Sequence, residues 1–111
     1  MIVVINNNTT AKDLEEFEKA FSKLSSPERI KEAVLDYKYP IPSADSDPMK
    51  FPLSISTDDG ITFCILNVTA GYGGEGPTGT CKILRMCGFK FDEREILKDS
   101  NGARVFKVFN K

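Results

Sequence analysis

A chain of 111 residues with 41% apolar and 28% charged side chains has the composition of an ordinary globular domain and room for one core. It contains no histidine, which removes the usual general base near neutral pH together with the Ser-His-Asp and Cys-His nucleophile pairs. The formal charge of −1 is unevenly spread, with 7 basic and 12 acidic side chains over residues 1–81 against 8 and 4 over residues 82–111, an asymmetry that suits an oriented contact with a charged partner.

No run of about 18 apolar residues is present, so no membrane-spanning helix is expected. Met1-Ile2-Val3-Val4-Ile5 lacks the basic start and cleavage site of a signal peptide, reads as a strand, and makes the cytoplasm the expected compartment. Cys64, Cys81 and Cys87 are odd in number and contain no CxxC pair. They read as buried thiols, and neither a metal site nor a cofactor is expected.

After Asn6-Asn7-Asn8, Thr9 and Thr10 offer N-cap oxygens, and Leu14, Phe17, Phe21 and Leu24 recur at helical spacing. Ser25 or Ser26 followed by Pro27 restarts the pattern, and Ile30, Ala33, Val34 and Tyr37 predict a second helix. The prolines of Tyr39-Pro40-Ile41-Pro42 through Asp47-Pro48 predict a surface loop.

Phe51, Leu53 and Ile55 alternate with polar or small residues, and Asp58-Asp59-Gly60 supplies a turn into a strand over residues 61–70. Both faces of that strand are apolar, which places it centrally, while Pro52 places its partner nearer an edge. Lys82 to Cys87 continues a helix closed by Gly88, with Phe89 folding back behind it. Residues 94–98 and 103–109 read as a terminal hairpin across Asp99-Ser100-Asn101-Gly102. The sum is a single α+β domain over residues 1–111, ordered β-α-α-β-β-α-β-β, with a mostly antiparallel sheet of about five strands and helices packed on one face.

The most distinctive segment is Gly71-Tyr72-Gly73-Gly74-Glu75-Gly76-Pro77-Thr78-Gly79, with five of the eight glycines between a strand and a helix. Gly71, Gly73, Gly74 and Gly76 permit close backbone approach, and a helix start there exposes N–H groups that favour an anion. The run matches G-x-G-x-x-G, yet flanking hairpins conflict with the repeated β-α-β units of a dinucleotide fold. It also resembles a phosphate-binding P-loop in glycine spacing, but Thr80 stands where that loop needs lysine and Glu75 would repel a polyphosphate.

Tyr72 is the natural aromatic anchor for a partner, with Glu75, Thr78, Lys82 and Arg85 as polar contacts. Cys81, near the helix start, is a candidate for a thiol activated by the helix dipole, against the plainer reading of a core thiol. Lys82, Arg85, Lys98, Arg104 and Lys107 could together face nucleic acid.

Small size, missing histidine and segregated charge point first to a non-enzymatic binding protein of inhibitor, immunity-type or mobile-element accessory kind. It would touch a protein partner through the 71–79 loop and the adjacent helix. A binder of a small anionic or nucleotide-like ligand at the same loop is the second reading, and a nucleic-acid accessory the third.

Overall fold

The computed structural model describes residues 1–36, 51–69, 74–97 and 106–111. The expected proline-rich loop at residues 39–48, the turn at 99–102, Gly71, Tyr72, Gly73, Lys98 and Arg104 lie outside the described residues. Strand β1 spans Ile2–Ile5 and helix α1 Thr10–Leu24, capped by the Thr9 hydroxyl, which accepts from the Lys12 N–H at 3.2 Å. A 3₁₀ turn, Pro27–Arg29, leads into β2, Ile30–Asp36. Strands β3, Leu53–Thr57, and β4, Thr62–Ile65, form the expected hairpin, with Gly60 at φ +89° in its turn. Helix α2 is Glu75–Met86, a short α3 covers Glu93–Leu97, and β5 is Phe106–Asn110.

The five strands form one mixed sheet in the order β1-β4-β3-β2-β5. β1 runs parallel to β4, and the other three pairings are antiparallel. The chain is therefore α+β, and the mostly antiparallel sheet contains one parallel pair. β4 lies inside the sheet between β1 and β3, as its two apolar faces predict, whereas β3 takes the middle of the five rather than a place nearer an edge; Pro52 sits just before it, where its carbonyl accepts from the Asp36 N–H at 2.8 Å. A proline at a strand entrance costs the ladder nothing.

Two expected elements are corrected. Residues 30–36 are a strand, paired antiparallel with β3 and β5, in which a bulge between Ile30 and Glu32 sets two residues against one of β3. Ile30, Ala33 and Leu35 then all face the core, and the three-residue step from Ile30 to Ala33 imitates helical spacing. The terminal hairpin is replaced by α3 and β5. Asp92 starts α3 by accepting from the Arg94 N–H at 3.0 Å, with its own carbonyl bonded to Glu95, and β5 pairs with β2.

Val3, Phe63, Ile55, Ala33 and Phe109 stand in one row across the sheet. At one end Phe63 meets the rings of Phe17 and Phe21 from α1, with centroids 5.4 and 6.2 Å away. Near the other end Phe109 meets Phe89 and Phe91, each at 6.1 Å. α1 and the segment after α2 thus lie against the same face. Fully burying a phenylalanine such as Phe17 or Phe63 stabilises by about 2–3 kcal/mol, so this row is a principal anchor of the core.

The stop signal of α2 behaves as its sequence predicts. Gly88 has φ +87°, its N–H bonds to the Arg85 carbonyl at 2.9 Å, and the Phe89 N–H bonds to the Leu84 carbonyl at 3.0 Å. These are the paired bonds of a Schellman cap, and Phe89 is buried behind it.

Candidate functional site

The glycine-rich run does not end before the helix, as its sequence suggests, but enters it. Gly74 is the N-cap, and Glu75, Gly76 and Pro77 are the first three helical residues. Proline is tolerated there because a first-turn N–H has no partner inside the helix. Gly79 is helical and buried, and the reason is contact. A Cβ at this position would stand 2.5 Å from Thr10 Cγ2 and 3.1 Å from Val68 Cγ1, so α2 can lie against α1 here only without a side chain.

Next to it the fully buried Thr80 hydroxyl lies 2.6 Å from the Thr69 carbonyl, its acceptor, and also reaches the Gly76 carbonyl at 3.3 Å. Helix α2 is thereby fixed to the segment that leaves β4.

The outer side of the same helix carries the candidate residues. Glu75, Thr78, Lys82 and Arg85 recur at intervals of three and four, all are exposed, and they form one stripe about 15 Å long. Arg85 is held in place by Glu93 at 3.0 Å and by stacking over the Phe91 ring at 5.5 Å, whereas Glu75 and Lys82 face solvent. The acid stands at the positive end of the helix and the bases toward its negative end, an arrangement the helix dipole favours.

This geometry leaves an anion little to hold. Thr78 N–H already bonds to the Gly74 carbonyl at 3.1 Å and Pro77 has no N–H, so within the first turn only Glu75 and Gly76 have N–H groups left for an outside acceptor. Glu75 itself supplies negative charge at that end. The basic set thins as well, since Arg85 pairs with Glu93 and Lys107 with Glu95 at 2.5 Å. β4, which precedes the glycine run, has a parallel neighbour on one side and an antiparallel one on the other, unlike a repeated β-α-β array.

Cys81 is buried, and burial first, then the nearby Glu93 charge, pushes its thiol up rather than down. The dipole argument is outweighed by desolvation. Burial likewise lifts Cys64 to about 11 and Cys87 to about 12.

A second polar cluster went unread in the sequence. Asp13 is completely buried, and its carboxylate accepts from the Asn7 N–H at 2.7 Å, the Asn67 N–H at 3.0 Å and both side-chain amides at 3.2 and 3.0 Å. Asn7 also donates to Glu16 at 2.7 Å, and the Thr10 hydroxyl donates to the Asn67 carbonyl at 2.6 Å. The cluster joins the ends of the parallel strands β1 and β4 to the start of α1. Its acceptors are filled by the protein's own donors, which marks it as a brace. The available signal was Asn67, a polar residue interrupting the apolar pattern of residues 61–70.

The chain matches no family model, no curated protein and no solved structure. Its role has to be read from its own surfaces. Two shallow grooves, one of about 470 Å³ beside Glu15, Glu18 and Lys19 and one of about 290 Å³ beside Phe89, Lys90 and Lys111, have none of their lining residues in the first turn of α2. No helix among the described residues is long and apolar enough to cross a membrane, and no cluster of metal-ligating side chains occurs among them.

Proposed function

We propose that the domain is a non-enzymatic binding module that meets a protein partner through the exposed stripe of α2 and the glycine-rich run leading into it. One observation carries this reading. Glu75, Thr78, Lys82 and Arg85 share a solvent-facing side of a helix whose inner side is locked by Gly79, Thr80, Ile83 and Leu84. A rigid helix presenting charges of both signs at set spacing is suited to a complementary protein surface, where charge sets orientation and rate of encounter. Tyr72 would supply the aromatic anchor such surfaces use. The inhibitor, immunity-type or accessory role belongs to the same reading.

The test is site-specific photo-crosslinking in the source cell, with the crosslinker at position 78 or 82 and a control at position 28 on the 3₁₀ turn. A defined protein captured from 78 and 82 but not from 28, and lost when Lys82→Glu is added to the position-78 probe, supports the reading. Equal capture from all three positions overturns it. A small-ligand role would instead show as a rise in Tm with nucleotides or phosphorylated metabolites that is removed by Gly76→Val in a protein that still folds.

A further inference from the structure

Three of the five exposed large apolar side chains among the described residues, Met1 (71% exposed), Ile2 (54%) and Val4 (44%), lie on or beside β1. β1 is the terminal strand of the sheet. The Thr62 N–H bonds to the Met1 carbonyl and the Leu66 N–H to the Ile5 carbonyl, so odd-numbered residues turn their backbone groups toward β4. Ile2 and Val4 therefore turn theirs outward, where no described strand meets them.

Soluble proteins blunt such edges with lysine, proline or a bulge. The opposite edge strand, β5, carries Lys107 and is followed by Lys111. β1 has no charged side chain from Met1 through Asn8, no proline and no bulge.

We propose that this edge docks a second copy of the same chain, the two β1 strands pairing antiparallel about a two-fold axis at Val3. Ile2 then lies opposite the second copy's Val4 and Val4 opposite its Ile2. All four outward-turned residues bond in the ladder, their apolar side chains cluster on one face, and the two sheets become one.

The helix above the edge selects this occupant. α1 meets α2 through Thr10 and Leu14, where Gly79 makes room, and turns Asp13 and Glu16 toward Asn7 at the end of β1. Glu16, Ala20 and Lys23 follow Asp13 at helical spacing along the side of α1 turned away from α2. Val3 pairs with Phe63, whose ring meets Phe17 and Phe21, so the axis passes α1 close to Ala20. Two antiparallel copies of α1 then approach at a small residue, with the acidic Glu16 of each facing the basic Lys23 of the other. An edge without charged side chains, a small residue at the crossing and opposite charges on either side of it are together self-complementary.

Sedimentation velocity on the full chain over a wide concentration range tests this. So short a strand pair with two helix contacts should give a weak dimer, with a dissociation constant of order 10 μM. Val4→Lys should weaken it at least about tenfold, and Lys23→Glu, which leaves the strand untouched, should weaken it by about threefold or more. Adding Glu16→Lys to Lys23→Glu should restore most of that loss, and circular dichroism checks each fold. A monomer up to about 1 mM, a dimer indifferent to both Val4→Lys and Lys23→Glu, or growth into open-ended polymers would each overturn the proposal.

Discussion

The buried carboxylate of Asp13 and the backbone N–H of Asn67 meet at 3.0 Å across 54 residues of chain. One oxygen of Asp13 accepts from Asn67 and the other from Asn7, so a single side chain clamps the exits of β1 and β4 to the first turn of α1. A filled, buried charge of this kind is costly to remove, because each donor it serves is left in a site shielded from water.

Asp13→Ala should therefore destabilise the domain by about 3 kcal/mol, read as the shift in the urea midpoint at constant m. Asp13→Asn keeps the shape but turns an N–H₂ toward donors, and should recover less than half of the loss. A change below about 0.5 kcal/mol for Asp13→Ala would show that the clamp is not a stabilising element.

Gly79 offers a sharper test of why a glycine stands inside α2. In an exposed helix Gly→Ala gains about 1 kcal/mol, but here the new methyl would press on Thr10 Cγ2 and Val68 Cγ1. Gly79→Ala should cost about 2 kcal/mol net, read by thermal unfolding. Thr10→Ser removes the nearer methyl while keeping the hydroxyl that bonds the Asn67 carbonyl, and should rescue much of the cost in the double variant.

The elements that could be read from sequence are those whose local pattern has one physical cause. α1 was legible because Leu14, Phe17 and Phe21 share a face, the β3–β4 hairpin because Asp58-Asp59-Gly60 suits a turn, and the end of α2 because Gly88 can hold a positive φ. β2 was not, since its bulge places Ile30 and Ala33 on one side and disguises a strand as a helix. The Asp13 cluster was not, since Asn67 enters it from 54 residues along the chain. The stripe on α2 was legible residue by residue, but the glycines beside it were misread. Gly76 and Gly79 are buried in the helix, and the contact of Gly79 with Thr10 depends on tertiary packing.

The cap at Gly88 predicts a backbone effect separable from packing. Gly88→Ala must hold an L side chain at φ +87°, which costs about 1–2 kcal/mol. The added Cβ would approach Lys111 Nζ, the flexible end of a side chain that can move aside, so the loss should be the same in Gly88→Ala alone and together with Lys111→Ala. A loss that disappears in the double variant would assign the effect to crowding.

The three thiols give a pH dependence whose sign follows from burial. In the folded chain Cys64 and Cys87 ionise only near pH 11 and 12, against 9.0 when free, so between those values the folded state holds protons that the unfolded state has released. Their contribution to stability is complete below pH 9 and is lost as pH rises through 11 and 12. Urea midpoints should fall more steeply above pH 9 in the parent chain than in Cys64→Ala/Cys87→Ala, compared at matched ionic strength. At pH 8 all three thiols should also resist alkylation until urea unfolds the chain, since both low exposure and a raised pKa suppress the thiolate. Rapid labelling of Cys81 in native buffer would show that the start of α2 opens on the labelling timescale, and would reopen the case for a reactive thiol beside the glycine-rich run.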